Sequence, residues 1–375
     1  MDELGGEFWA CLALRHTKGL GARTWKRLVD DFGSAANAVS AFPHWPHVSK
    51  KVCAEFATGA WKAPAEQEAT QAHKHGLTVL PLADPEFPEL LRHIPDPPLF
   101  LYVLGDQSLL HRPCVAMVGS RQSSQYGLQM ADSIARTLSQ SGVCVVSGFA
   151  FGIDRAAHWG AVRGVGSTIA VLGTGIDLIY PFSNRDLWTE IADKGLIISE
   201  FAPGTKPEGI NFPHRNRIVS GLSLGVLVVE GALKSGSLIT AELALAQNRD
   251  VFALPGPANL KTFQGCHQLI RQGAYLIQDG NDILRELTPR LRSCAHAASQ
   301  PDQQHVQAEP DLDDPDQRVL FALLRTKKSM HIDEMARTLD WPAEQVSATL
   351  LFLELQGLVK QLPGMYYTCG VEYLT

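Results

Sequence analysis

The chain has 375 residues, 45% of them apolar and 19% charged, with a formal net charge of −6. That length exceeds what one hydrophobic core usually supports, so two or three domains of ordinary globular composition are expected. The negative balance excludes a protein that coats nucleic acid with its whole surface, though not one with a local basic groove. The absence of any apolar run of about 18 residues argues against a membrane span, and MDELGGEFWA lacks the basic start and apolar core of a secretory signal, so the chain is placed in the cytoplasm.

In chain order, residues 7 to about 75 carry Trp, Leu and Val at helical spacing and predict a module of short helices over 1–78. Within it Gly19-Leu20-Gly21 separates two helical stretches and is followed by Thr24, Lys26 and Arg27. A GxG turn between helices can offer backbone N–H groups to a phosphate, although a plain packing turn is the simpler reading. The stretch 80–105 contains Pro81, Pro85, Pro88, Pro97 and Pro98 before the apolar run Leu99 to Leu104. It reads as extended chain ending in a strand, a connector that docks onto the domain after it.

Between 113 and 287 one pattern repeats: an apolar run, a turn rich in Gly and Ser, then an Ala-rich amphipathic stretch. Six runs, Val115–Val118, Val143–Val146, Ile169–Leu172, Leu196–Ile198, Val226–Val229 and Val251–Leu254, are candidate strands. The alternation predicts an α/β domain over 79–287 with a doubly wound parallel sheet, whose ligands sit outside the carboxyl ends of the strands.

The turns after these strands hold the candidate binding residues. In VAMVGSRQSSQY, 115–126, Gly119 permits close backbone approach and Ser120 leads to Arg121, whose planar fork suits phosphate oxygens. Backbone N–H groups at such a strand-to-helix junction can hold an anion. The second turn, SGFAFGIDRAAH at 147–158, contains Gly148, Gly152 and Asp154; the third is Gly173-Thr174-Gly175-Ile176-Asp177, running on to Tyr180-Pro181. The fourth leads to FPHRNRIVSGLS at 212–223, where Arg215 and Arg217 flank Asn216 and, in a loop or at a helix start, can bring two charges and an amide into one small area. The fifth strand ends in Glu230 and is followed by Lys234-Ser235-Gly236.

Each feature also has a structural reading. Isolated glycines in such turns are usually steric, and Asp154 and Glu230 read as caps or arginine partners rather than catalytic carboxylates. His158 and His267 read as hydrogen-bonded core or rim residues, since no HxH or HExxH pattern accompanies them. The seven cysteines are scattered without a CxxC pair, which argues against a disulfide framework or a zinc site. No catalytic residue, metal ligand or cofactor is therefore expected. Arg121, Arg215, Arg217 and Lys234 nevertheless all fall on ligand-facing loops, with no compact acidic cluster in the sequence to answer them.

Residues 288–315 turn to Ala, Ser, Gln, Pro and Asp, ending EPDLDDPD, and read as a flexible acidic linker. From Asp316 to 375, three helical stretches and a two-stranded wing around Pro363-Gly364 predict a winged-helix domain. Its third helix, Ala343 to Gln356, carries Glu344 and Glu354 but no Lys or Arg. A protein contact or a structural cap suits it better than major-groove reading.

The motifs VAMVGSR…YG, SGFAFGID…AH, GTGID…YP, FPHRNRIVSGLS, VVEGALKSGSLITA and ALPG…G…LIRQGA, in this order, closely resemble the DprA/Smf family of DNA-processing proteins. The resemblance is strong over 80–287, and an N-terminal helical module and a C-terminal winged helix occur in many members. It implies an extended Rossmann fold with a SAM-like N-terminal module. It further implies binding of single-stranded DNA, loading of the RecA recombinase during natural transformation, a homodimer, and no enzymatic activity. By position, Gly119, Ser120 and Arg121 would grip the DNA backbone, and the loop from Gly173 through Gly175 to Tyr180 would line the same groove with Arg215, Asn216 and Arg217. Gly148, Lys234, Ser235 and Gly236 on neighbouring turns complete the predicted DNA-binding set.

Two enzymatic alternatives share the sheet architecture. A nucleoside-monophosphate phosphoribohydrolase of the lysine-decarboxylase-like group needs a PGGxGTxxE stretch, and ALPGPANL lacks both its glycine run and the downstream Thr and Glu. A dinucleotide oxidoreductase needs the GxGxxG turn and a ribose-binding acid.

Overall fold

Residues 6–288, 314–326, 330–355, 358–362 and 365–369 are described by the computed structural model. The predicted linker lies almost wholly outside the described residues, as does the Pro363-Gly364 turn. The chain divides into two units, 1–299 and 300–375.

The first unit begins with α1 (Gly6–Arg15), α2 (Ala22–Phe32), α3 (Ala35–Ser40), α4 (Lys50–Ala57) and α5 (Lys62–Lys74). These helices do not close a core of their own. Phe8 of α1 meets Phe100 and Tyr102 edge-on at 5.1 and 6.2 Å, and one buried cluster runs continuously from Phe8 to Leu269. Glu68 of α5 is buried in the same seam, accepting from Tyr102 Oη at 2.7 Å and pairing with Arg15 at 3.0 Å and His16 at 2.8 Å. Burial alone would raise its pKa; His16, Arg15 and Tyr102 outweigh that and hold the carboxyl below its ordinary value.

The proline-rich connector does more than dock. It supplies β1 (Thr78–Pro81) and, after the short α6 (Glu89–Arg92), β2 (Phe100–Gly105). Strand β1 pairs antiparallel with β2, and β2 pairs antiparallel with β6 (Leu196–Ser199), so two strands extend the sheet.

The repeated pattern then gives β3 (Cys114–Gly119), α7 (Gln125–Gln140), β4 (Cys144–Ser147), α8 (Ile153–Ala161), β5 (Thr168–Val171) and α9 (Arg185–Lys194) before β6. After β6 come α10 (Asn211–Gly221), β7 (Gly225–Glu230), α11 (Gly236–Ala246), β8 (Asp250–Ala253), α12 (Gln264–Arg271), β9 (Tyr275–Leu276) and helical residues 280–288, α13. All six predicted strands are present and parallel to one another. They are apolar throughout because helices cover both faces: β4, β5 and β6 are buried at every residue. The sheet order is β1-β2-β6-β5-β4-β3-β7-β8-β9. The chain winds outward from β3 to β6, then crosses back to β7 and winds the other way. The topological switch point, where such sheets bind ligands, therefore lies between β3 and β7.

The second unit contains α14 (Pro315–Thr326), β10 (Met330–His331), α15 (Ile332–Leu339), α16 (Ala343–Leu355), β11 (Val359–Leu362) and β12 (Tyr366–Cys369). Leu320, Leu324, Met335, Val346, Leu350 and Leu353 form its core. The predicted wing gains a third strand, since Met330 and His331 pair with Tyr367 and Tyr366. Among the described residues no helix is long and apolar enough to cross a membrane.

Candidate functional site

The junction after β3 is built differently from the expected anion cradle. The Ser120 N–H donates to the Glu230 carbonyl at 2.7 Å, and its hydroxyl donates to Gln122 O at 2.8 Å while accepting from Gln122 N–H. The donors expected of Ser120 are thus used within the protein. At the start of α7 the seat for an anion is filled by the chain's own carboxylate. Ser124 N–H donates to the Glu230 oxygens at 3.0 and 3.2 Å, and Ser124 Oγ donates to Oε2 at 2.8 Å. A Cβ at Gly127 would collide with the same oxygen, so glycine leaves room for the carboxylate. Glu230 is therefore a buried helix cap with no free oxygen facing solvent, as expected of a structural carboxylate. Glu230→Ala should cost about 1 to 3 kcal/mol of folding stability by stranding the Ser124 donors. Urea unfolding measures this, and an unchanged midpoint would show that the cap is dispensable.

Residues 212–221 of this segment lie in α10, which puts Arg215 and Arg217 past its first turn rather than in a loop or at the helix start, and this corrects the expectation for the two arginines. Residues two apart on a helix face different ways, so Arg215 and Arg217 are not neighbours in space. Both are buried, at 3% and 2% exposure. Arg215 reaches under the turns after β4 and β5, donating to Gly148 O at 2.6 Å and to Val171 O. Gly148 has no side chain because a Cβ there would lie 2.7 Å from Arg215 Nη2 and 2.8 Å from Asp154 Oδ2. Asp154 accepts from the Gly148 and Ala150 N–H groups at 3.2 and 3.3 Å, which makes it an orienting carboxylate for this turn.

Burial raises the Asp154 pKa against the opposing pull of Arg215, and burial, with Arg121 nearby, lowers that of Arg215 to about 10. Burial and Arg215 together push His158 down to about 3, leaving a neutral ring whose Nδ1 bonds Thr168 Oγ1 at 2.7 Å. His158 is thus a core residue.

Arg217 turns the other way. Its Nη2 donates to Glu200 Oε2 at 2.5 Å and its Nε lies 3.6 Å from Asp96 Oδ2. Acidic groups therefore do answer these arginines. They come from positions 96, 154 and 200, too far apart in sequence to register as a cluster.

Arg121, in contrast, is exposed. Its guanidinium carbon lies 5.1 Å from the centre of the Phe212 ring, within cation–π range. Arg121, Gly148, Phe149, Gly173, Tyr180 and Phe212 line a small pocket of about 60 Å³ at the carboxyl edge of the sheet. Gly173 admits Phe212, since a Cβ there would come within 2.8 Å of that ring. Gly175 is buried behind it, its N–H donating to Thr205 O at 3.0 Å, and does not line the pocket. Gly119 is also set back, its Cβ position 2.6 Å from Ile153.

Beside Tyr180, which ends the loop expected to line the groove, the rim region exposes Phe151 and Phe182, which the expectation did not assign. Phe151, Tyr180 and Phe182 are 45%, 40% and 70% exposed. Tyr180 and Phe212 lie 5.8 Å apart between ring centres, and the exposed Arg185 stands 5.9 Å from the Phe182 ring. The Arg121–Phe212 pair lines the pocket itself, and the Phe182–Arg185 pair follows directly on Pro181, the last lining residue of the loop after β5. The available signal was aromatic residues in turns after strands, where burial in a core cannot explain them.

On the other side of the switch point, Lys234 is exposed in a left-handed conformation at φ 77°, ahead of Ser235 and the exposed Gly236. Asn216 Nδ2 lies 3.4 Å from Gly236 O and its Oδ1 accepts from Arg215 Nε, so Asn216 ties α10 to the start of α11. No group of three or more potential metal-ligating side chains occurs among the described residues.

Comparison with known proteins agrees with this architecture. The model for "DNA recombination-mediator protein A" matches residues 78–288, that for the "DprA-like N-terminal HHH domain" residues 7–69, and that for the "DprA winged helix domain" residues 303–365. Protein Smf of Synechocystis is 42% identical over 313 residues, covering 76% of this chain and 78% of the relative. Protein Smf of Escherichia coli is 41% identical, covering 76% and 75%. Among solved structures, DNA processing protein A from Streptococcus pneumoniae superposes with a TM-score of 0.64 at 34% identity, over 74% of this chain and 97% of that one. The Helicobacter pylori protein, whose structure is described for its single-stranded DNA binding mode, gives 0.51 at 35% identity, over 54% and 93%. With three matching family models in chain order over a sheet of this topology, the chain belongs to the DprA/Smf family of DNA-processing proteins.

Proposed function

We propose that this chain is a non-enzymatic binder of single-stranded DNA that loads a RecA-type recombinase onto the strand. The observation that carries the reading is the pocket rim after β3, β4 and β5, beside the switch point: exposed Arg121 set against Phe212, with Phe151 and Tyr180 lining the same pocket and the Arg185–Phe182 pair just after it in the chain. Guanidinium groups suit phosphates, and open aromatic faces suit unstacked bases of any sequence. Arg121 is the principal phosphate contact, and Lys234 with Gly236 lies on the same ligand-facing edge. Arg215, Arg217, Asn216 and Ser120 act beneath the surface by fixing the loops. The Helicobacter pylori relative's single-strand binding supports the assignment. Recombinase loading and a role in transformation rest on the family resemblance alone.

Self-association into a homodimer is supported by the far edge of the sheet. Among the described residues strand β9 is the last of the sheet, and on it Tyr275 and Leu276 are 45% and 51% exposed, with Leu245, 62% exposed, lining one hollow with Tyr275. An apolar edge of this kind is a template for pairing. Leu276→Lys should shift sedimentation from dimer to monomer; a wild-type chain that sediments as a monomer at micromolar concentration rejects the dimer.

A mobility-shift salt series with oligothymidine, mixed-sequence single strands and duplex tests the main reading. Single-strand affinity should be nearly independent of sequence and fall steeply with salt, by a slope of about 0.7 for each phosphate neutralised. Strong preference for one sequence with a flat salt response rejects it. Recombinase filament assembly on the same strand, with and without the protein, tests the loading step; no acceleration would reject that part.

A further inference from the structure

The N-terminal module carries a second charged face. Residues 6–75 contain nine Lys and Arg against six Asp and Glu, in a chain whose formal net charge is −6. Lys18, Arg23, Arg27, Lys50 and Lys51 are all exposed. Lys26 is held by Asp30 at 2.7 Å and Arg15 by Glu68 at 3.0 Å, but among the described residues no acid lies within salt-bridge distance of those five.

The fold gathers four of them around one turn. Gly19, between α1 and α2, has φ +92°, and a Cβ on it would stand 3.0 Å from Val52 Cγ2. Glycine thus allows the turn to press against the first turn of α4. Lys18 directly precedes that glycine, Lys50 and Lys51 directly precede Val52, and Arg23 lies in the first turn of α2. Four like charges held together without counter-charge repel one another, an arrangement that a bound polyanion relieves.

The kind of polyanion is set by the groups this face lacks. Between residues 6 and 103 no large apolar side chain is exposed, whereas the switch-point rim exposes Phe151, Tyr180 and Phe182. The face offers charge with no platform for an unstacked base. That suits the phosphate backbone of paired strands, whose bases stay stacked inside the helix. We infer that the surface of Lys18, Arg23, Lys50 and Lys51 binds the backbone of duplex DNA without reading its sequence. The inference stands apart from the single-strand assignment; with both in place, one chain engages a junction where a single strand leaves a duplex.

The test uses the full-length chain carrying Lys18→Ala, Arg23→Ala, Lys50→Ala and Lys51→Ala together, with fluorescence anisotropy on a short labelled duplex and on oligothymidine across a salt series. Duplex affinity should fall at least about tenfold, and the duplex salt slope should flatten by about 0.9 for each cation that meets a phosphate. Oligothymidine affinity should stay within about twofold, because the residues assigned to it, Arg121, Phe212, Tyr180 and Phe151, belong to other elements. A second variant, Lys18→Arg, Lys50→Arg and Lys51→Arg, keeps the charge and should bind duplex as the wild type does. Unchanged duplex affinity in the alanine variant overturns the inference, as do equal losses on both DNAs, loss of duplex binding in the arginine variant, or a wild-type chain that ignores duplex at low salt. Failure on oligothymidine by the wild type would instead count against the single-strand assignment alone.

Discussion

Arg217→Ala should destabilise the first unit by about 3 to 5 kcal/mol, the cost of stranding a buried charge. Its side chain is 3% exposed and donates at 2.5 Å to Glu200, whose side chain is 13% exposed. Burial alone would raise the Glu200 pKa, but Arg217 and then His214 outweigh it and hold the carboxyl below its ordinary value. Removing the arginine leaves that carboxylate with His214 alone, at 2.9 Å. Urea unfolding should show a lower midpoint at unchanged slope, and a loss under about 1 kcal/mol would mean the pair contributes little. Arg217→Met combined with Glu200→Gln should recover most of the loss, because it removes both charges while keeping the volume. The pH dependence has a fixed sign. A depressed carboxyl stabilises the fold above its unfolded pKa of about 4.3, and that contribution disappears as pH falls through the lower folded value. Wild type and Arg217→Ala should therefore converge in stability in acid, while the double variant, lacking the carboxylate, should change less with pH.

The second large effect is on binding and leaves folding alone. Arg121→Ala should weaken single-strand binding by about 1 to 3 kcal/mol, a factor of roughly 5 to 150, and reduce the salt slope by about 0.7. Arg121 is exposed and contacts the face of Phe212, so the melting temperature should hardly move. Arg121→Lys should restore only part of the affinity, since an ammonium keeps the charge but loses the planar fork. A lowered melting temperature with unchanged binding per folded molecule would reassign Arg121 to a structural role. Together the two arginines form an internal control, one expected to act on stability and the other on DNA.

The sequence made the sheet legible and left much of its wiring hidden. Apolar runs identified six parallel strands because a strand covered on both faces must be apolar at every position. The edge pairing of β2 with β6 could not be read, because Tyr102 meets Ser199 across nearly a hundred residues and nothing local specifies it. The arginines of α10 were visible as charges but not as buried ones. Their burial depends on a helix that begins at Asn211 and on acids at 96, 154 and 200 brought in by other elements. Glu230 was correctly read as structural, yet its partner, Ser124, stands 106 residues away. Arg121 was legible because the strand-to-helix junction is local and its charge has no local partner.

The self-filled seat at α7 has a consequence for what can compete with DNA in a cell. A sheet of this kind that kept its first turn open would hold any mononucleotide by its phosphate, and abundant small metabolites would occupy it. Here the Glu230 carboxylate has already taken the Ser124 donors, so that seat is closed to the phosphate of a lone nucleotide. On the proposed reading, useful affinity arises when many weak contacts belong to one polymer, each engaged nucleotide raising the effective concentration of the next. The single-strand reading then predicts an affinity that climbs with the length of the strand and all but vanishes for a mononucleotide.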